Sequence, residues 1–301
     1  MKRFSAFFFL ITSLIYLNIY FGPLVRATDS GLACPDWPLC HGKFIPEYTF
    51  QIAMEVGHRF YSGAIGLFIL FGFIWSLVQL PLRRYTPLLV VTLFFLGTQV
   101  TLGALTVTKL LDPTTVNLHL LNAVILLLLS LTVAFRSKWD SESTIKEISL
   151  SSVFSPSSGN LYLVFVIGFT LFQLFMGGRV SSHYAGLACP DFPTCYGEWF
   201  PELFGTIRYQ MEHRWIGYAL ALAVFYLPFY AKTKNYSGFA QKLTWAASAI
   251  IVLQIMIGAF NVWYKLPKLV TATHTGIGVL LLGCLYFCLL VRLYKNTERG
   301  S

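Results

Sequence analysis

Eight apolar stretches dominate this 301-residue chain, at about 4–22, 53–79, 87–108, 115–135, 160–177, 208–231, 242–263 and 269–292. Each is near the roughly 20 residues that cross a bilayer as helix. Charged residues make up only 12% of the sequence, against about 25% in a soluble domain. The first stretch follows Lys2 and Arg3, as a signal peptide would. No small-residue cleavage site follows it, and its copy at 160–177 is internal, so a retained helix is expected. The fold class read here is an all-α membrane protein with eight transmembrane helices.

The net charge of +9 orients the chain. Thirteen of the 22 basic residues, among them Lys2, Arg3, Arg83, Arg84, Arg136, Lys138, Lys232, Lys234 and Arg292, fall at the two termini and the even-numbered connections. The positive-inside rule then places both termini in the cytoplasm. No nucleic-acid partner is needed to explain the charge; membrane lipid is the expected surroundings. Without an Arg- and Ser-rich presequence, a bacterial plasma membrane is expected rather than a mitochondrial one.

The chain repeats itself. Residues 31–47, "GLACPDWPLCHGKFIPE", return at 186–202 as "GLACPDFPTCYGEWFPE", eleven of seventeen identical at an offset of 155. At that same offset His58 maps to His213, His119 to His274, Gln99 to Gln254 and Gly103-Ala104 to Gly258-Ala259. Two tandem pseudo-symmetric four-helix bundles are expected, 1–136 and 160–301, joined by a polar cytoplasmic linker at 137–159. An even number of helices per copy gives both the same orientation. Bundles of this kind build cofactor sites from facing helices.

Four of the six histidines, His58, His119, His213 and His274, lie inside predicted helices at repeat-equivalent places. Their predicted depth is about 8 Å below the outer helix end, at 1.5 Å per residue. Ionisable groups in a membrane are costly and face the bundle interior for a reason. A lone intramembrane histidine is more often a hydrogen-bonded structural residue than a ligand, but two pairs at matching depth favour ligation. Two imidazoles without further acidic or thiolate ligands do not complete a zinc site. They suit an iron porphyrin, whose macrocycle fills the equatorial positions and leaves the axial ones to histidine. Arg59 and Arg214 follow two of these histidines and either pair with porphyrin propionates or snorkel to the interface. His41 and His183 are unmatched in the repeat and read as solvated loop residues.

Cys34 and Cys40, and likewise Cys189 and Cys195, lie in loops on the expected oxidising side, where disulfides persist. Two prolines inside each loop bend it back. A structural clip is the simpler reading, and a redox-active pair the sharper one. Cys284 and Cys288 are expected to be buried, reduced thiols in the last helix. The copies part at Glu55, three residues before His58 and so on its helix face; its counterpart is Gln210. An electron wire has no evident need of that acid, although pairing with Arg59 at i+4 would also explain it.

The "EVGHR", "MEHRW", "NLHLLNA", "ATHTGIG" and "GLACPDWPLC" segments, spread over eight spans, resemble the haem A synthase family along essentially the whole chain. The resemblance implies a membrane oxidoreductase that oxidises a methyl group of haem O to a formyl group by successive hydroxylation, giving haem A for terminal oxidases. It implies that His58 and His119 hold the substrate haem, that His213 and His274 hold a haem b cofactor, and that Glu55 is the catalytic carboxylate. Haem O would come from a haem O synthase; the electron donor is not implied. Two other classes remain open on the residues: a dihaem b-type electron-transfer cytochrome and a haem carrier or export protein. A thiol oxidoreductase would leave the four helical histidines without a purpose.

Overall fold

The computed structural model describes residues 1–140 and 159–298, with 295–298 as backbone alone. Among the described residues eight helices are long and apolar enough to cross a membrane, and none is a β-strand. The chain is therefore an all-helical, multi-pass membrane protein. It divides into two compact units, Met1–Glu142 and Ser143–Ser301.

The first unit contains α1 (Lys2–Ala27), α2 (Phe50–Val78), a 3₁₀ segment (Leu80–Tyr85), α3 (Thr86–Thr108) and α4 (Pro113–Trp139). Each helix packs on the next, and α4 closes back on α1. This ring puts α2 and α4 at opposite corners. In the second unit α5 (Leu161–Ser182), α6 (Gly205–Thr233), α7 (Gly238–Trp263) and α8 (Lys268–Glu298) pack in the same cyclic order. There α6 and α8 are the opposite corners.

The helices run past the apolar stretches that announce them, and polar caps make the starts of α2 and α4. Thr49 Oγ1 accepts from Ile52 N at 3.2 Å and starts α2. Asp112 accepts from Thr115 N at 3.0 Å and starts α4, with Pro113 in the first turn, where its missing N–H costs nothing. Consequently His58 and His213 stand eight residues inside α2 and α6, about 12 Å from the helix start. His119 and His274 stand six inside α4 and α8, about 9 Å in. His58 and His213 therefore lie deeper than the apolar runs indicate, while His119 and His274 lie at about the expected depth. α4 also continues to Trp139, so residues 137–139 are helical rather than linker. Asp140 beyond it accepts from the Tyr85 hydroxyl at 2.7 Å. The rest of the expected linker, 141–158, lies outside the described residues.

Packing inside the first unit is aromatic at the end away from the disulfide. Phe4, Phe8 and Tyr85 are fully buried, and Phe4 stacks on Tyr85 with centroids 5.8 Å apart. α2 comes close to this cluster at Gly72, where a Cβ would stand 2.6 Å from Phe8 Cζ. In the second unit Pro228 leaves the Val224 carbonyl without its helical donor, and Ser248 Oγ from α7 donates to it instead, at 3.3 Å. Arg292 bonds Asn160 Oδ1 at 2.8 Å and lies 3.6 Å over the Tyr236 ring. Cys284 and Cys288 are free thiols, as expected, donating weakly to the Leu243 and Ala240 carbonyls.

The repeated loops are closed by disulfides Cys34–Cys40 and Cys189–Cys195. All four cysteines are at most 2% exposed, so the bridges are packed inside their loops. Each loop ends in a tight turn, His41-Gly42 or Tyr196-Gly197, with φ positive at both central residues. That geometry is the reason for the glycine. An aspartate caps each turn: Asp36 accepts from the His41 and Gly42 amides at 2.7 and 2.8 Å, Asp191 from those of Tyr196 and Gly197 at 2.7 and 2.9 Å. The Gly42 amide, with that of His41, holds the Asp36 carboxyl below its ordinary 3.8. For Asp191 burial pushes upward, but the Thr194 hydroxyl and the Gly197 and Tyr196 amides outweigh it and the value is again lowered. Gly31 and Gly186 in the two loops lie against Leu111 and Leu266, whose turns follow α3 and α7.

Gly72→Ala is expected to lower the thermal unfolding temperature in detergent by the equivalent of about 1–3 kcal/mol of overpacking. Gly63→Ala, with nothing within 4 Å of its new methyl, is expected to leave it unchanged or raise it. A depressed carboxyl contributes stability above its unfolded value that is lost as pH falls through the folded one. The Cys34–Cys40 bridge should therefore resist a water-soluble phosphine at neutral pH and become reducible as pH falls through the lowered titration of Asp36. Asp36→Ala should make it reducible at neutral pH, read by thiol labelling.

Candidate functional site

Each unit carries its two helical histidines on the opposite corners of its ring, and each histidine lies against a glycine of a neighbouring helix. In the first unit a Cβ on Gly22 of α1 would come 3.8 Å from His58 Nε2, and one on Gly103 of α3 would come 3.2 Å from His119 Cε1. In the second, Gly177 of α5 stands 3.1 Å from His213 Cε1 by the same measure, and Gly258 of α7 stands 3.0 Å from His274 Cε1. At Gly103, Gly177 and Gly258 the missing Cβ makes room for the ring, whereas at Gly22 a methyl would meet His58 at ordinary contact distance. None of the four rings is sealed by packing; each keeps some accessible surface.

Amide side chains orient the imidazoles. Gln99 Nε2 lies 3.3 Å from His119 Nε2, while Gln99 Oε1 accepts from Asn122 Nδ2 at 2.7 Å. Gln254 makes the equivalent contact to His274, also 3.3 Å. Gln173 Nε2 contacts His213 Nδ1 at 3.0 Å and donates to the His213 carbonyl at 2.9 Å. In the first unit the position of Gln173 is taken by Asn18, which bonds Ser62 Oγ at 2.9 Å; Ser62 in turn donates to the His58 carbonyl at 2.7 Å. Phe21 meets the His58 ring edge-on at 5.4 Å.

The rings of His213 and His274 are 6.3 Å apart between centroids and inclined at 77°. An imidazole nitrogen binds a metal at about 2 Å and stands about 1 Å from its ring centre, so two rings on one metal have centres about 6 Å apart. The observed spacing fits a single axial pair. His119 Nδ1 and His274 Nδ1 are buried with no hydrogen-bond partner, as nitrogens kept for another use would be. Among the described residues no group of three or more His, Cys, Asp or Glu side chains could hold a bare metal ion. The donor set therefore fits a metal that brings its own equatorial ligands, which is the chemistry of an iron porphyrin.

Glu55 and Arg59 sit at the disulfide end of α2. Glu55 is 5% exposed; its Oε2 accepts from the Cys34 amide at 2.8 Å and its Oε1 from Arg59 at 2.5 Å. Arg59 also donates to the carbonyls of Asp36 (2.9 Å) and Leu39 (2.7 Å), with a longer contact to Cys34 at 3.4 Å. Arg214 clamps the second loop through the Thr194 and Cys189 carbonyls and lies 5.6 Å over the Phe192 ring. Gln210, the counterpart of Glu55, donates to the Gly186 carbonyl at 3.3 Å. Glu212 faces elsewhere, bridging Arg179 at 3.0 Å and Arg208 at 2.7 Å. His183 stacks on Tyr209 at 4.1 Å, and His41 lies against the Ala33 carbonyl at 3.1 Å.

Several of these partners escape a reading of the sequence. Gly22 and Gly177 obey the 155-residue offset and were there to be found. Gln173 and Asn18 differ between copies, and Asn122 faces Ile277 in the other copy, so the repeat does not mark them.

Comparison with known proteins places this architecture. The family model described as "Cytochrome oxidase assembly protein", COX15-CtaA, matches residues 5–52 and 45–286. The haem A synthase of Bacillus licheniformis is 31% identical over 95% of this chain and 96% of its own. That of Bacillus pumilus is 29% identical over 96% and 95%, and that of Shewanella oneidensis 28% over 88% and 89%. With the match running through all eight spans, the chain belongs to the COX15-CtaA family of cytochrome oxidase assembly proteins.

Proposed function

We propose that this protein is a haem A synthase, an oxidoreductase of the membrane that takes haem O as substrate and yields haem A. Family membership and the names of its relatives support the reaction. The division of labour rests on the residues. His58 and His119 hold the substrate haem in the first unit, and His213 and His274 hold a haem b in the second. The 6.3 Å spacing of the latter pair supports that assignment. The iron centres supply the oxidising and electron-carrying chemistry when bound; the protein orients the rings and handles protons.

One observation carries the placing of the chemistry in the first unit. Both disulfide loops are clamped by an arginine, and the second clamp is complete with Gln210, a neutral amide. The loop does not need an acid at this point. Glu55 nevertheless stands there in the first unit, one helical turn from His58, with lone pairs left over on both oxygens beyond the two bonds it accepts. A carboxylate so placed can take up a proton at Oε1 or Oε2 as the methyl group is oxidised, or stabilise positive charge developing beside it. A transmembrane electron wire has no use for this asymmetry.

Placement of the basic residues supports cytoplasmic termini, with both disulfide loops on the opposite, oxidising side of a bacterial plasma membrane. Haem O, made by a haem O synthase, would reach the first unit from the membrane. Electrons come from a donor not named by any residue here.

Glu55→Gln should retain both haems and lose haem A formation by about 10²-fold or more; chromatography of extracted haems reads this directly, and full activity would remove Glu55 from the reaction. His213→Ala should purify depleted of haem b, whereas His58→Ala should spoil retention or turnover of haem O. Unchanged pigment in both variants would overturn the axial assignments.

A further inference from the structure

Arg59 does more than tie down a loop. Its two terminal nitrogens span acceptors of different kinds: Nη1 holds the Asp36 and Leu39 carbonyls, while Nη2 holds Glu55 Oε1 at 2.5 Å. A planar guanidinium with a rigid fork of donors can serve both directions at once, which a single ammonium does less well. The loop it grips is itself fixed, by the buried Cys34–Cys40 bridge and by the Asp36 turn. The same loop donates the Cys34 amide to the other carboxylate oxygen. Both oxygens of Glu55 are thus referred to one rigid frame.

The duplicated half supplies the comparison that separates two duties. Among the described residues Arg214 makes the loop contacts and no hydrogen bond or ion pair to a carboxylate, since Gln210 occupies the acid's place and bonds Gly186. Loop-clamping is common to both arginines; holding an acid belongs to Arg59 alone. Resting on the role of Glu55 given above, we propose that Arg59 is the positioning residue of the reaction: it sets where the Glu55 carboxylate stands beside His58 and its substrate. Its donors are then spent within the protein, which distinguishes it from a residue kept to bind a ligand carboxylate.

The test uses the purified, haem-loaded protein, with haem O as substrate. Turnover is separated into kcat and KM, and the Glu55 carboxylate band is isolated by isotope-edited infrared difference against Glu55→Gln. Arg59→Gln should lower kcat about tenfold or more, the scale of a misplaced reacting group, with KM within about twofold and haem content unchanged. The carboxylate band should shift. Arg59→Lys should recover part of the rate and part of the band position, and it carries the test where the glutamine variant does not assemble. Arg214→Gln should leave the Glu55 band in place. An Arg59→Gln protein with the original band and original kcat overturns the proposal, as does an equal band shift in Arg214→Gln. Failure is assignable: normal turnover in Glu55→Gln removes the functional reading and this inference together. An inactive Glu55→Gln beside a fully active Arg59→Gln removes the inference alone.

Discussion

Hydrocarbon offers no hydrogen bonds, and that single property governs this protein. Every backbone amide in a span must find its partner within the chain, which makes helices of the apolar stretches and sets a cost on each polar side chain among them. The polar groups that remain fall into recognisable duties. Some mend the backbone, as Ser248 does for the carbonyl that Pro228 abandons, and as Ser5 does by donating to the Ala134 carbonyl at 2.8 Å. Others orient imidazoles: Gln99, Gln173 and Gln254. A third set gathers at the disulfide ends, where two arginines turn loop carbonyls inward. A buried polar group without a duty would be selected against, so the asymmetries between the two units carry functional information.

The asymmetries that bear on the histidines are local. The loops, the glycines beneath the histidines and the cyclic packing order are held in common. Glu55 against Gln210 and Asn122 against Ile277 are not. Both differences lie within a turn of a histidine and give the first unit an acid and a further amide, while the second unit has Glu212 beside His213 where the first has Gly57. What sets Glu55 apart is direction: it shares a helix face with His58, whereas Glu212 is turned away to Arg179 and Arg208.

Much of this was legible in the sequence because it repeats or is periodic. The eight spans follow from apolar length, the histidine pairs and cysteine loops from the offset, and Glu55 from the point where the copies disagree. What could not be read is equally instructive. The helix start at Phe50 depends on Thr49, a polar residue that a hydropathy reading discards, so His58 was expected too near its helix end. The bonds of Arg59 and Arg214 go to backbone carbonyls, which every residue possesses and no letter of the sequence marks. The amides around His58 and His213 differ in identity between copies while serving similar ends, which hides them from any search for repeats.

That last substitution is a matched exchange of volumes. Asn18 sits with Ser62, whereas Gln173 sits with Gly217, whose missing Cβ would otherwise come within 3.0 Å of the glutamine nitrogen. A serine at Gly217 would press on the end of the flexible Gln173 side chain, and an asparagine at Gln173 would leave space beside the glycine. Exchanging one of these helices between the halves therefore brings a mismatch of volume that exchanging both together avoids.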